Sequence, residues 1–143
     1  MKISTKGRYA LRMLLDLAEH QDDGFIPLKT IAQRQGISKK YLEQIVGILN
    51  HSGILKTNCG YQGGYMLAVP PQQCRVGNIL RITEGSLSSV ACLETDENYC
   101  EMQEHCKTLP IWQGLNNVIA EYLDGITLQD ILDDNSPTVS NLS

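Results

Sequence analysis

Two short helical patterns separated by a single glycine constrain the fold of this chain more than any other feature of its sequence. Residues 28–35 place apolar side chains on one helical stripe, and Gly36 stands where a C-cap glycine would end such a helix. Ser38, a good N-cap, precedes a second helical pattern from Lys39 to about Ser52. Two helices joined by so tight a turn are typical of a helix-turn-helix motif.

A glycine-rich hairpin is predicted immediately after these helices. Residues 54–58 and 65–69 read as strands. The segment between them is Cys59-Gly60-Tyr61-Gln62-Gly63-Gly64, whose glycines permit sharp turns and close approach of the backbone to a phosphate or a groove. Tyr61 and Gln62 would project from this tip. A helix-turn-helix followed by such a hairpin predicts a winged helix-turn-helix, whose second helix reads DNA.

The other regular elements are predicted to be helices over residues 5–20, 76–83 and 108–123. The last of them carries two apolar stripes. One stripe is Ile111, Leu115, Val118 and Tyr122, and the other is Trp112, Ile119 and Leu123. A helix that is apolar on two sides must be covered on two sides. We therefore expect one stripe to pack within the domain and the other against a second subunit, with burial of both inside one monomer as the alternative.

The predicted fold is mainly α, with a small β-hairpin wing and a long C-terminal dimerisation helix. Residues 1–85 form the winged helix-turn-helix domain, and residues 86–107 form an irregular loop that contains three cysteines. Residues 108–132 form the dimerisation helix and a short terminal helix. The polar residues 133–143 are predicted to be disordered.

The distribution of charge favours a polyanionic partner for the first part of the chain. Residues 1–83 contain eleven Lys and Arg against five Asp and Glu, whereas residues 84–143 contain one Lys against eleven acidic residues. The two parts carry +6 and −10, an asymmetry expected of a basic surface that faces nucleic acid, although two solvated faces would have the same composition. Neither a membrane span nor a signal peptide is evident, so we expect a cytoplasmic protein with no membrane partner.

The predicted reading helix has a polar face suited to DNA. Its first turn is Ser38-Lys39-Lys40-Tyr41, and cations at a helix N-terminus oppose the helix dipole unless an anion such as phosphate lies nearby. Lys40, Glu43, Gln44 and Gly47 share the face opposite the apolar stripe. Glu43 can accept a hydrogen bond from cytosine, and Gln44 can pair with adenine. An ordinary solvated helix face is the alternative.

Three of the five cysteines lie close together in the sequence. Cys92, Cys100 and Cys106 have the spacing C-x7-C-x5-C. Three thiolates on one flexible loop can converge on a soft metal, and the spacing is wider than the C-x2-C pairs of most structural zinc sites. A thiol redox switch or plain packing is compatible with the same spacing. The odd number of cysteines and the missing export signal argue against a disulfide framework.

Three motifs in order closely resemble the Rrf family of bacterial winged-helix regulators. They are Ile3 to Arg12 at the start of the chain, Ile37 to Ile45 in the reading helix and Gly60 to Tyr65 in the wing. Residues 79–85 and 112–128 also fit the family's pattern, so the resemblance covers about residues 1–132. It implies a homodimer that binds a double-stranded DNA operator, with the reading helix in the major groove and the wing in the minor groove.

The resemblance also implies which residues contact DNA. The matching positions are Ser38, Lys39, Lys40, Tyr41, Glu43 and Gln44 in the helix, and Tyr61, Gln62 and Gly63 in the wing. Cys59 is a departure, because family members often carry arginine just before the first glycine of the wing, where a guanidinium suits a narrow minor groove. The operator is therefore left open. Cys74 is expected to be a small buried apolar side chain.

The cysteine loop resembles that of the iron–sulfur branch of the family, which includes IscR, NsrR and RirA, rather than the CymR-like branch, which lacks the triad. The resemblance implies that Cys92, Cys100 and Cys106 hold a [2Fe–2S] or [4Fe–4S] cluster.

The fourth ligand of such a cluster is open. IscR-like proteins use a histidine three residues after the last cysteine, where this chain has Leu109. His105 is the candidate here, with Glu101, Glu104 or a residue of the partner's N-terminal helix as alternatives. Some relatives place an acidic ligand on that helix, but this chain has Arg8 at the matching position.

Together these features predict a transcriptional regulator that acts as a repressor. Its affinity for DNA is expected to be controlled by an iron–sulfur cluster, and its expected role is to govern cluster biogenesis. A regulator that responds to nitric oxide, iron or redox stress is an alternative, as is a zinc- or thiol-based repressor of cysteine metabolism. An enzyme is not expected, because the sequence contains no P-loop, nucleotide fingerprint, C-x-x-C pair or nucleophile–base motif.

Overall fold

The computed structural model describes residues 2–95 and 101–135 of the chain. Within these ranges the protein has six α-helices and one two-stranded antiparallel sheet, which confirms the predicted winged helix-turn-helix architecture. The helices are α1 (Thr5–Glu19), α2 (Leu28–Gln35), α3 (Lys39–Leu49), α4 (Val76–Glu84), α5 (Leu109–Asp124) and α6 (Leu128–Leu132), and the strands are β1 (Leu55–Asn58) and β2 (Gly64–Leu67). None of these helices is both long and apolar enough to cross a bilayer.

Several observed boundaries differ from the predicted ones, those of α1, α4 and α5 by one residue. The α-helical part of α3 ends at Leu49, and residues 50–52 form a 3-10 turn before Gly53, whose φ of 79° ends the element. Each strand is one residue shorter than predicted, and β2 begins one residue earlier, at Gly64. Residues 133–135, which we placed in a disordered tail, donate backbone hydrogen bonds to α6, while residues 136–143 lie outside the described residues.

Helix α1 lies at the centre of the core and contacts α2, α3, α4, α6 and β2. Its apolar stripe is almost completely buried, because Met13, Leu14 and Leu17 are at most 1% exposed. Leu42, Ile45 and Leu49 of α3 are equally buried against it. Burying side chains of this size contributes about 2 kcal/mol each, so α1 is the support on which the reading helix is mounted.

One buried ion pair joins α1 to α2. Asp16 is 1% exposed, and its two carboxylate oxygens accept from Nη2 and Nε of Arg34 at 2.5 and 3.0 Å. Gln35 donates a third hydrogen bond to the same carboxylate at 3.0 Å. The carboxylate raises the pKa of Arg34, chiefly through their hydrogen bond. The pairing satisfies the buried charge of Asp16 and fixes the end of α2 on α1.

The turn between α2 and α3 is formed by the residues that the sequence predicts. Gly36 adopts the left-handed conformation with φ of 65°, and Ile37 is buried beneath the turn. The Ser38 hydroxyl then accepts from the backbone N–H of Tyr41 at 3.1 Å, which caps the first turn of α3.

The hairpin is attached to the domain through the segment that precedes α2. Ile26 exchanges two backbone hydrogen bonds of 2.9 Å with Tyr65 of β2, so Ile26 acts as a third, one-residue strand. A Cβ atom on Gly64 would collide with the Ile26 carbonyl group. Gly64 is therefore required for close approach of the two backbones, and the wing is held at a fixed position beside α2.

Helices α4 and α5 pack together in a second, smaller apolar cluster of Val76, Leu80, Leu87 and Ile126. Arg81 on α4 forms a two-pronged ion pair with Asp124 at the end of α5, at 2.7 and 3.0 Å. Glu84 at the end of α4 accepts from both the backbone N–H and the hydroxyl of Ser4, at 3.2 and 2.5 Å. The C-terminal helices are thereby tied to α1.

We expect Arg34→Ala to lower the free energy of unfolding by about 2 kcal/mol, because the Asp16 carboxylate would stay buried without its cation. The loss falls below that of a fully buried pair, since about a third of the Arg34 side chain is exposed. Urea unfolding followed by far-UV circular dichroism measures the change. Gln33→Ala, at an exposed position of the same helix, is the control, and equal stability of the two variants would contradict the assigned role of the pair.

Candidate DNA interface and cysteine loop

The structure places most of the predicted DNA-reading side chains of α3 on its exposed face. Lys39, Lys40, Glu43 and Gln44 are exposed, whereas the helix positions between them face the core. Ser38 is also exposed, but its hydroxyl is engaged in the helix cap. The four charged or amide side chains are therefore free to reach a groove, and their contact with DNA stays a prediction.

Tyr41, which we also placed at the DNA interface, is half-buried and packs within the domain. Its ring meets that of Tyr9 edge to face, with ring centres 5.5 Å apart, and the guanidinium of Arg12 lies 5.3 Å from the centre of the Tyr9 ring. Arg12 donates to the backbone carbonyl and, at 3.3 Å, to the side chain of Gln35. These contacts connect α1 with the last residue of α2 and the first turn of α3, so they fix the direction in which α3 leaves the turn.

The wing tip is a tight turn that exposes two predicted contacts. Tyr61 is 96% exposed, and Gln62 has a φ of 62°, in the left-handed region. The Gly63 N–H donates to the Gly60 carbonyl at 2.9 Å and closes the turn. A Cβ atom on Gly63 would collide with the carbonyl of Asn58. Gly63 is thus required by the turn itself, and the projecting side chains are those of Tyr61 and Gln62.

A cleft of about 300 Å³ lies between the reading helix and the wing. It is lined by Lys29 of α2, Lys39 of α3 and residues of the hairpin. Two cations at one cleft suit a phosphate of a DNA strand. Sequence reasoning missed Lys29, although a lysine in the first turn of α2 has the same unfavourable position relative to the helix dipole as Lys39.

Four cysteines fall within the described residues, and they occupy different environments. Cys74 is 2% exposed, its Sγ lies 3.5 Å from the Pro70 carbonyl oxygen, and burial raises its pKa. Cys59 is exposed on the hairpin and lines the cleft beside the wing. Cys92 and Cys106 are half-buried. The environment of Cys74 is that of a small apolar side chain, which agrees with the prediction for it.

The predicted metal-binding cysteines are placed at the two ends of the segment between α4 and α5. Cys92 lies in a single 3-10 turn, Ala91–Leu93, and Cys106 precedes α5 by three residues. Cys100 falls outside the described residues, as do residues 96–99. Among the residues that are described, no group of three or more His, Cys, Asp and Glu side chains is arranged to hold a metal. The predicted triad as a whole therefore stays a prediction.

Cys106 has the properties of a reactive thiol. Its Sγ lies 3.4 Å from the hydroxyl oxygen of Thr108, and this hydrogen bond lowers the pKa of the thiol. His105, the candidate fourth ligand, and Glu104 are exposed next to it, and both line a shallow open cleft with Cys106 and Lys107. Thiolate, imidazole and carboxylate groups are all able to bind a metal, and here they are neighbours in the sequence on an exposed part of the chain.

The two apolar stripes of α5 have different surroundings. Ile119 and Leu123 pack against the cluster that α5 shares with α4, together with Tyr122. Ile111, Leu115 and Val118 are 60, 41 and 53% exposed in the single chain. The chain therefore has an exposed apolar strip on the N-terminal part of α5, as expected of a helix that a second subunit covers, whereas Tyr122 of the same predicted stripe packs inside the chain.

The chain matches one family of regulators over almost its full length. The Rrf2 family, described as iron-dependent transcriptional regulators, matches residues 3–134. The transcriptional regulator IscR of Aliivibrio salmonicida is 36% identical over 94% of this chain and 79% of its own length. The transcriptional regulator CymR of Bacillus subtilis is 39% identical over 92% of this chain and 89% of its own length.

Solved structures give the same two relationships. The IscR structure of T. potens is 38% identical, has a TM-score of 0.70 and covers 94% of this chain and 88% of that one. The structure of CymR, described as the global cysteine regulator of B. subtilis, has a TM-score of 0.74 at 36% identity and covers 92% of this chain and 95% of that one. The chain is thus about equally similar to both types of regulator.

Two substitutions would separate backbone contacts from base contacts. Lys29→Ala should weaken binding to every duplex alike and reduce the slope of log K against log salt concentration by about 1, because one phosphate contact is lost. Gln44→Ala should leave that slope unchanged and lose about 1–3 kcal/mol of discrimination at one base pair. Fluorescence anisotropy titrations at several salt concentrations measure both. An unchanged slope for Lys29→Ala would remove the cleft from the interface.

Proposed function

The chain belongs to the Rrf2 family of transcriptional regulators, and from that premise we propose that it is a homodimeric repressor whose affinity for DNA depends on an iron–sulfur cluster. Its relatives are DNA-binding regulators of the helix-turn-helix type rather than enzymes. The proposed ligands are Cys92, Cys100 and Cys106, with His105 as the candidate for the fourth, and the proposed role is control of cluster biogenesis.

The observation that carries this proposal is the position of the cysteine loop relative to α5. Cys106 lies three residues before the helix, and its backbone carbonyl accepts from the N–H of Leu109 at 3.3 Å. A loop that closes around a bound group would therefore act directly on the N-terminal end of α5. Because α5 also carries the exposed apolar strip, the same helix would connect the sensor with the dimer interface.

The proposed dimer uses the strip of Ile111, Leu115 and Val118, whose exposed area is too regular to be scattered surface. Two-fold pairing through this strip would set the separation of two reading helices, and a two-fold operator would match it. The double-stranded operator would contact the exposed face of α3, the cleft and the wing tip.

Three separate polar contacts join the helices from α5 to α2, which precedes the reading helix. Arg81–Asp124 joins α5 to α4, and Ser4–Glu84 joins α4 to α1. Asp16–Arg34 then joins α1 to α2, next to the turn that leads into α3. A small rotation of α5 would be passed on through these contacts to α3 in each subunit. A coupling of about 1–3 kcal/mol between loop and DNA would change the affinity roughly 5- to 150-fold.

When bound, the cluster would supply a redox-active or exchangeable iron centre, and the chain's own residues would do the remaining work. The Thr108 hydroxyl favours the thiolate of Cys106, the form that binds iron. The exposed His105 and Glu104 are within the same open region and can complete or exchange the fourth position. An exchangeable ligand suits a sensor, because the signal must be able to reach the bound group.

A second function has support in the similarity to CymR, which is as strong as that to IscR. A thiol- or zinc-based repressor would use the same reading helix and the same dimer helix, with the cysteine loop as a redox switch. Regulators that respond to nitric oxide, iron or redox stress would share the cluster but differ in what alters it. The nature of the group in the loop separates these possibilities.

Anaerobic purification followed by absorption spectroscopy and iron, sulfide and zinc analysis tests the cluster directly. We expect a brown protein with equal iron and sulfide, and loss of both in Cys92→Ser and Cys106→Ser. Cys59→Ser, which removes an exposed thiol outside the loop, is the matched control and should keep the cluster. A colourless wild-type protein that also resists reconstitution would favour the zinc- or thiol-based repressor.

The dimer is tested by Leu115→Glu, which places a charge in the middle of the apolar strip. We expect sedimentation equilibrium to give a monomer, because burying an unpaired carboxylate costs more than the interface gains. Gln113→Glu adds the same charge at an exposed position of the same helix and should stay dimeric. A Leu115→Glu protein that remains a dimer with unchanged helix content would place the interface elsewhere.

A further inference from the structure

The side chain of Asn116 attaches the segment that leads into the cysteine loop to α5. Its amide oxygen accepts from both the backbone N–H and the hydroxyl of Ser89, at 2.9 and 2.8 Å. Its amide nitrogen donates to the hydroxyl of Ser88 at 3.2 Å. Three hydrogen bonds from one half-buried amide to two consecutive residues define the position of this segment on the helix.

The attached segment is itself internally bonded. The Ser88 hydroxyl donates to the carbonyl of Val90 at 2.7 Å, and the Ser88 N–H donates to the hydroxyl of Ser86 at 3.1 Å. Val90 is the residue that precedes the 3-10 turn Ala91–Leu93 containing Cys92. Two residues, Val90 and Ala91, therefore separate Ser89 from Cys92, and the position of Ser88 and Ser89 restricts the position of Cys92.

An open cleft borders this segment. Leu87 is buried in the cluster shared by α4 and α5, and a cleft of about 160 Å³ is lined by the segment and by both helices. Leu87, Leu93, Asn116 and Ile119 are among its lining residues. The hydrogen bonds to Asn116 therefore hold the segment at a place where its packing against the helices is incomplete.

The opposite end of the loop is also fixed to α5. Cys106 reaches Leu109 through a backbone hydrogen bond, and Asn116 lies seven residues after Leu109, two helical turns or about 10 Å along the axis. The positions of Cys92 and Cys106 are thus both fixed relative to one rigid helix, α5. A change in the loop cannot then be absorbed by free movement of its first end.

We propose that Asn116 is a positioning residue: it fixes the Cys92 end of the cysteine loop on α5, so that the state of the loop is transmitted to the dimer helix. The transmission rests on the proposed function, because it needs a sensory loop. The attachment of Cys92 does not depend on the proposed function, and it can be measured on the protein without any bound metal.

The attachment is tested by alkylation of the metal-free protein with iodoacetamide, read for each cysteine by peptide mass spectrometry. Asn116→Ala should raise the rate at Cys92 about tenfold relative to Cys59 in the same molecule, because loss of the three hydrogen bonds permits local opening. Asn117→Ala, an exposed position next to it, is the matched control and should change nothing. Asn116→Asp should restore most of the protection, since its carboxylate still accepts both bonds from Ser89.

An equal rate at Cys92 in the Asn116→Ala and Asn117→Ala proteins would overturn the attachment. A parallel rise at Cys59 and Cys106 would do the same, because it would indicate general loosening of the fold. Should Asn116→Ala lower the folded fraction, Ser89→Ala serves as the second variant, since it removes the 2.8 Å bond without altering α5. For Ser89→Ala we expect a smaller rise in the alkylation rate, confined to Cys92.

Transmission is tested by the ratio of DNA affinities of the cluster-loaded and metal-free proteins, with the decay of cluster absorbance as a second readout. Asn116→Ala should bring this ratio toward one and shorten the lifetime of the cluster, while the affinity of the metal-free protein stays at the wild-type value. A wild-type ratio and lifetime in Asn116→Ala would overturn the positioning role. If the wild-type protein acquires no cluster, the proposed function fails, and the alkylation result still decides the attachment.

Discussion

The arrangement of the two helices of the helix-turn-helix, α2 and α3, depends on the buried carboxylate of Asp16. A charge that is 1% exposed must be paired, and the fold pairs it chiefly by bringing Arg34 and Gln35 of α2 onto α1. Arg12, one helical turn earlier, holds the carbonyl at the end of α2. The turn at Gly36 therefore starts from a fixed place, and α3 leaves it with its polar face outward.

The same principle, a polar side chain that fixes one element on another, recurs toward the C-terminus. Arg81 with Asp124 and Glu84 with Ser4 hold α5 and α1 on either side of α4. Apolar packing provides most of the stability there, but it is less directional than these contacts. Polar contacts at the boundaries between elements define their relative orientation, which a regulator must be able to change by small and specific amounts.

The cysteines show how one residue type takes different roles through its surroundings. Cys74 is enclosed, and burial raises its pKa, whereas Thr108 lowers the pKa of Cys106. Cys59 occupies the wing, beside the lysines of the cleft. The spacing of Cys92, Cys100 and Cys106 in the sequence indicates a metal site. The structure describes Cys92 and Cys106, which lie toward opposite ends of a loop that is attached to α5.

The sequence by itself determined the order and type of the elements and most of their boundaries, because periodicity, the glycine at 36 and the cap at Ser38 act over a few residues. It also identified Lys39, Lys40, Glu43 and Gln44 as exposed side chains and the wing tip as a projection, but not the packing of Tyr41 against Tyr9. Only the tertiary structure decided which distant residues meet. Asp16 and Arg34 are 18 residues apart, Ser89 and Asn116 are 27 apart, and Lys29 meets Lys39 only across a cleft completed by the hairpin. Such pairs leave no periodic signal in a single sequence, since each depends on how separate elements pack and not on its immediate neighbours.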